Sequence, residues 1–191
     1  MLPSNFIIIK DMKTLLGTLV LLLAIPCMSI PQAQVNLKVG DPAPDFTLPY
    51  ATKDSVSEEK LTLSSLVGKH NIVLAFYPAD WSGGCTKEMC TMRDNFSDLA
   101  KLDADILPIS GDYAFSHHEW AKAQNFPFRM VSDHLHTVAR VYNSYNEDYG
   151  WNKRTVYVID MKGKIAYIDL KYNSRDPQSF EGLKAALKTL Q

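Results

Sequence analysis

The sequence predicts an α/β fold in which a mixed central sheet is flanked by helices. Three observations carry that expectation. Asn71–Tyr77 is an unbroken apolar run closed by Pro78, the pattern of a strand buried on both faces of a sheet. Segments with apolar residues at helical spacing then alternate with short apolar runs, the order of a layered α/β domain. Near the end, Thr155–Ile159 and Lys164–Leu170 flank Asp160-Met161-Lys162-Gly163, a hairpin signal that adds antiparallel pairing.

Taken in order, residues 34–47 are rich in proline and lead onto the domain surface, and residues 50–60 are polar and read as a loop or hairpin tip. Leu61–Gly68 reads as a short turn. After the Asn71–Tyr77 strand, Met89, Met92, Phe96 and Leu99 recur at helical spacing, which predicts one helix from Cys85 to about Lys101. Asp105–Ile109 reads as a strand, Phe115–Gln124 as a helix and Phe126–Val131 as a strand. His134–Tyr142 reads as a short helix with Leu135, Val138 and Val141 inward. Ser179–Leu190 closes the chain as an amphipathic helix, with Phe180, Leu183, Leu187 and Leu190 on one side.

The first three dozen residues have a different character. Lys10, Asp11 and Lys13 precede an 11-residue apolar run, Leu15–Ile25, and small or turn-forming residues follow it up to Ala33. A charged head, a short apolar stretch and a small-residue exit predict a signal peptide over residues 1–33. The run is shorter than the roughly 20 residues a bilayer-spanning helix needs. An exported domain over residues 34–191 is therefore expected, periplasmic or secreted, with an uncleaved membrane anchor as the rival. Removing residues 1–33 takes away Lys10, Lys13 and Asp11, leaving 18 basic and 20 acidic residues, a formal charge of −2. No basic stripe points to a nucleic-acid partner. Two cysteines remain, Cys85 and Cys90, too few for a disulfide-stapled scaffold; two so close together suggest chemistry.

In Ala79-Asp80-Trp81-Ser82-Gly83-Gly84-Cys85 a buried strand runs out into a loop, and a helix begins at or near Cys85. The first N–H groups of a helix lack intrahelical partners and carry the positive end of its dipole. Cysteine at such a site is expected to ionise readily, and the thiolate is the nucleophilic form. Gly83 and Gly84 leave room for a small oxidant. The plainer reading of an isolated cysteine is a small buried apolar residue, and Ser-Gly-Gly-Cys argues against it.

The sequence resembles the peroxiredoxin family, whose motif Pro-x-x-x-(Thr/Ser)-x-x-Cys is met by Pro78, Ser82 and Cys85. Gly40–Phe46, Phe115–Trp120, Phe126–Asp133 and Arg154–Gly163 are similar to the family's other segments, in the same order. The resemblance implies a thioredoxin-like fold with extra N-terminal and internal elements. It also implies a thiol peroxidase that needs neither cofactor nor metal, takes a hydroperoxide and draws on a thioredoxin-like or small-thiol reductant; members of the family often pair as homodimers. Cys85 looks like the peroxidatic cysteine, which becomes a sulfenic acid. Ser82 stands where the family usually has threonine, Pro78 would shield the sulfur, and Arg154 looks like the active-site arginine. Cys90 matches a resolving cysteine. Five residues along a helix separate α-carbons by about 8–9 Å, whereas a disulfide wants less than about 7 Å, so the bond requires the first turn to unwind. The rival is a one-cysteine route with an external thiol, which Asn146–Gly150 keeps open through its similarity to such members.

Two other functions compete. A thiol–disulfide oxidoreductase is suggested by Trp81-Ser82-Gly83-Gly84-Cys85, although Ser82 occupies the nucleophile's place. A copper-binding thioredoxin-like protein would use the two thiolates, which suit copper(I). His134 and His136, without a third ligand, are read as surface residues rather than metal ligands. Trp81 is expected over the site, Trp120 in the core, and His117-His118 at an interface or capping a helix face.

Overall fold

The computed structural model describes residues 36–191 of the chain; the signal segment expected over residues 1–33 lies outside them. Two strands come first, β1 (Thr47–Ala51) and β2 (Val56–Thr62), followed by β3 (Asn71–Phe76). Next come α1 (Gly83–Asp94), α2 (Phe96–Lys101), β4 (Ala104–Ser110), α3 (Ala114–Gln124) and β5 (Met130–Ser132). The rest is α4 (Thr137–Val141), β6 (Tyr145–Asn146), β7 (Trp151–Asn152), β8 (Thr155–Ile159), β9 (Ile165–Asp169) and α5 (Pro177–Lys188).

Seven strands form one mixed sheet in the order β2-β1-β5-β4-β3-β8-β9, with β3, β4 and β5 parallel and the other pairs antiparallel. All six residues of β3 are buried, because the strand is central and covered on both faces. Alternate residues serve opposite faces. Val73, Ala75 and Tyr77 pack with Met89, Met92, Trp120, Leu183 and Leu187, under α1, α3 and α5. Ile72, Leu74 and Phe76 pack with Phe46, Leu63, Val138 and Tyr142 on the other side. Gly163 closes the β8–β9 hairpin at φ +75°, a conformation that suits glycine. Among the described residues no helix is long and apolar enough to cross a membrane.

Four details differ from the sequence expectations. Residues 56–60 are not loop but part of β2, an edge strand paired only with β1; an edge tolerates charged side chains, and these discourage further pairing. The helix expected from Cys85 to Lys101 breaks at Asn95, whose Nδ2 donates to the Thr91 carbonyl at 2.8 Å and draws the chain out of register. The strand expected at Phe126–Val131 shrinks to Met130–Ser132, since Pro127 has no N–H to give a ladder and Phe126 stacks on Phe128 in the core. Leu135 is 73% exposed rather than inward, because α4 starts only after His136, which sits at φ +54°. The small β6–β7 pair was not legible as strand at all.

Candidate active site

Cys85 owes its place to three local features. Strand β3 delivers the chain to the end of the sheet, the loop Tyr77–Ser82 turns it, and Ser82 caps α1 from an extended conformation (φ −70°, ψ 141°). The Ser82 hydroxyl accepts from the Cys85 N–H at 3.4 Å, one of the donors that a helix start leaves free. Cys85 thus lies in the first turn of α1, and it is completely buried.

Arg154 reaches this point through sheet register. Strands β3 and β8 pair antiparallel with Phe76 opposite Thr155, so the residue before Thr155 lands beside the loop after Phe76. From there the Arg154 Nη2 donates to Cys85 Sγ at 3.4 Å, and Nη1 donates to Glu88 Oε2. A β-carbon on Gly84 would lie 3.3 Å from Arg154 Nη2; glycine lets the guanidinium approach the helix this closely.

Glu88 is the third member, and sequence reasoning missed it. Its side chain is fully buried, and Oε1 has no hydrogen-bond partner among the described residues. Burial raises its carboxyl from 4.5 to about 7, against the pull of the adjacent Arg154. Burial likewise opposes the charge on Arg154, but its interactions with Glu88 and Cys85 outweigh it and hold the guanidinium above its ordinary pKa. A signal for Glu88 existed in the spacing: Cys85, Glu88, Met89 and Met92 fall at i, i+3, i+4 and i+7, and all four are buried. A thiol at a helix start with a fixed guanidinium beside it can hold a sulfur anion and stabilise charge growing on a neighbouring oxygen.

Residues 39–168 match the AhpC/TSA family. The chain belongs to that family and is a peroxiredoxin. It is 38% identical over 137 residues to peroxiredoxin Q, chloroplastic, of Triticum aestivum, covering 71% of this chain and 59% of that protein. It is 31% identical to peroxiredoxin Bcp of Bacillus subtilis (strain 168), covering 69% of this chain and 83% of that protein. Among solved structures, peroxidoxin BcpB from Mycobacterium tuberculosis superposes with a TM-score of 0.69 at 28% identity, covering 81% of this chain and 99% of that one. The expected fold is therefore the observed one, and the activity is that of a thiol-dependent peroxidase. These relatives do not favour the disulfide-exchange or copper-binding alternatives.

The peroxiredoxin motif residues occupy different settings. Pro78 is half-buried in the loop between β3 and α1, and Ser82 is exposed at the cap. Cys85 and Arg154 meet directly. Cys90 does not join them: about 140° further round α1, it is half-buried, and its Sγ donates to Gln124 Oε1 of α3 at 3.7 Å. Both thiols are free. Trp81 is 55% exposed at the rim, whereas Trp120 is buried. His134 is exposed and bonded to the Gly111 carbonyl, while His136 is half-buried against Asn152, not at the surface as expected. His117, expected at an interface or cap, is buried and bonded to Asp80.

Proposed function

We propose that Cys85 is the peroxidatic sulfur and Cys90 the sulfur that resolves it. The Cys85 thiolate attacks one peroxide oxygen, an S–O bond forms and the O–O bond breaks. The second oxygen leaves as water or alcohol after taking a proton, and Cys85 is left as a sulfenic acid. Arg154 holds the thiolate and steadies the leaving oxygen; Ser82 offers a hydroxyl to the arriving peroxide, and Pro78 shields the sulfur. The Cys90 thiol then attacks the sulfenic sulfur, a disulfide forms and water departs. A thioredoxin-like or small-thiol reductant restores both thiols by disulfide exchange. The observation that carries this reading is the 3.4 Å contact from Arg154 Nη2 to Cys85 Sγ at the start of α1.

The test is peroxide consumption by the residue 34–191 protein and two variants. Cys85→Ser is expected to be inactive. Cys90→Ser is expected to turn over once and stall as the sulfenic acid until a small thiol is added. Full multi-turnover activity of Cys90→Ser with a thioredoxin-type donor would make Cys90 dispensable and favour the one-cysteine route. Export is part of the same reading, supported by the charged head and the Leu15–Ile25 run; N-terminal sequencing of the cellular protein checks cleavage after Ala33. A homodimer is supported by the exposed Tyr113, Phe115 and Leu135, and sedimentation of the reduced protein decides it.

A further inference from the structure

Two residues before the Ser82 cap, Asp80 turns its carboxylate into the protein, where its side chain and that of His117 on α3 are both fully buried. Asp80 Oδ1 accepts from the Tyr77 hydroxyl at 2.7 Å, and Oδ2 accepts from Ser116 Oγ at 2.7 Å. His117 Nδ1 lies 3.0 Å from Oδ2, and its Nε2 lies 3.2 Å from the Val131 carbonyl oxygen. Both ring nitrogens thus lie within hydrogen-bond distance of a buried oxygen. The backbone of Asp80 is held as well. Its N–H donates to Asp112 Oδ2 at 2.9 Å, and its carbonyl accepts from the Ser82 N–H at 2.8 Å.

A buried polar network whose members all find hydrogen-bond partners rigidifies its surroundings and specifies one conformation. Here the conformation to be specified is that of Trp81. It lies between Asp80 and Ser82 at φ +61°, a left-handed value unfavourable for a bulky residue. With 55% of Trp81 exposed, burial of its ring does not account for the strain. Such backbone persists only where the surroundings over-determine it. Asp80 fixes one flank, and the Ser82 cap on Cys85 fixes the other.

We propose that Asp80 is a positioning residue for the peroxide reaction: its buried bonds to Tyr77, Ser116 and His117 hold Trp81 left-handed and so seat Ser82 and the first turn of α1 around Cys85. The inference rests on Cys85 being the reacting sulfur. It is tested by kcat/KM for hydrogen peroxide, with dithiothreitol as reductant, in Asp80→Asn, in Trp81→Gly and in the double variant. Asp80→Asn is expected to fall by about tenfold to a hundredfold, the scale of a small misplacement of reacting groups. Glycine adopts positive φ at little cost, so the double variant is expected to recover to within about threefold of Trp81→Gly alone. A merely structural role would leave the double variant slower than either single change.

A folded Asp80→Asn with wild-type kcat/KM overturns the proposal, and so does a double variant no faster than Asp80→Asn. If Asp80→Asn does not fold, Ser116→Ala removes one donor to the same carboxylate, and the same recovery with Trp81→Gly is read. Failure of the underlying assignment looks different: Cys85→Ser would then consume peroxide at the wild-type rate whatever Asp80 does.

Discussion

Replacing Glu88 by glutamine removes a buried charge whose cost can be read directly from the pH dependence of stability. In the fold the Glu88 carboxyl titrates at about 7, against 4.5 ordinarily, because burial penalises its anion more than Arg154 favours it. Between those two pH values the folded protein holds a proton on Glu88 that the unfolded chain has released. Stability therefore falls as pH rises, by about 1.4 kcal/mol per pH unit. The stabilisation is complete below pH 4.5 and is lost by the time pH has risen through 7, a total of about 3 kcal/mol from this one group. For a domain of this size, that corresponds to a melting temperature lower by about 6–12 °C. The assay is urea unfolding of the reduced protein and of Glu88→Gln at pH 5, 6, 7 and 8, taking the difference between the two at each pH to cancel the other titrating groups. Relative to the variant, the wild type is expected to lose stability from pH 5 to 7 and to level off towards pH 8. A flat difference, or one that rises with pH, would refute the argument that burial dominates the Glu88–Arg154 pair.

Three further outcomes are expected. Arg154→Ala lowers kcat/KM for hydrogen peroxide by about 10²–10³, the usual loss when a donor to developing negative charge is removed; a change below threefold would separate the guanidinium from the reaction. Gly84→Ala gains about 1 kcal/mol of helix propensity but presses a β-carbon to 3.3 Å from Arg154 Nη2, so the variant melts no lower than wild type and reacts more slowly with peroxide. Peroxide treatment at one equivalent weakens the far-UV helical signal, since a Cys85–Cys90 bond cannot span an intact turn, and Cys90→Ser shows no such change; an unchanged spectrum with the bond formed would remove the need for unwinding.

Much of the molecule was legible in the sequence because local pattern and tertiary position agree there. The Asn71–Phe76 strand, the β8–β9 hairpin and α5 each bury the face that their periodicity marks, and Pro78, Ser82 and Cys85 are close neighbours in the chain. Glu88 and His117 also lay on marked faces, at i+3 from Cys85 and three residues before Trp120. They were missed because a charged or polar residue on an apolar stripe is ordinarily discounted, and only a partner from elsewhere makes its burial affordable. Arg154 for Glu88 and Asp80 for His117 are those partners, 66 and 37 residues away. The opposite error occurred at Leu135, where helical spacing was read through a residue that precedes the helix.

The sequence alone marked most of the strands and helices, the family and the cysteine at the head of α1, since these depend on short-range pattern. Only the folded sheet decided which distant charges meet that cysteine. Antiparallel pairing of β3 with β8 sets Arg154 beside the turn after Phe76, and a change of register would send it to the other face. Sequence spacing carries no record of that register, which is set by how both faces of the sheet pack.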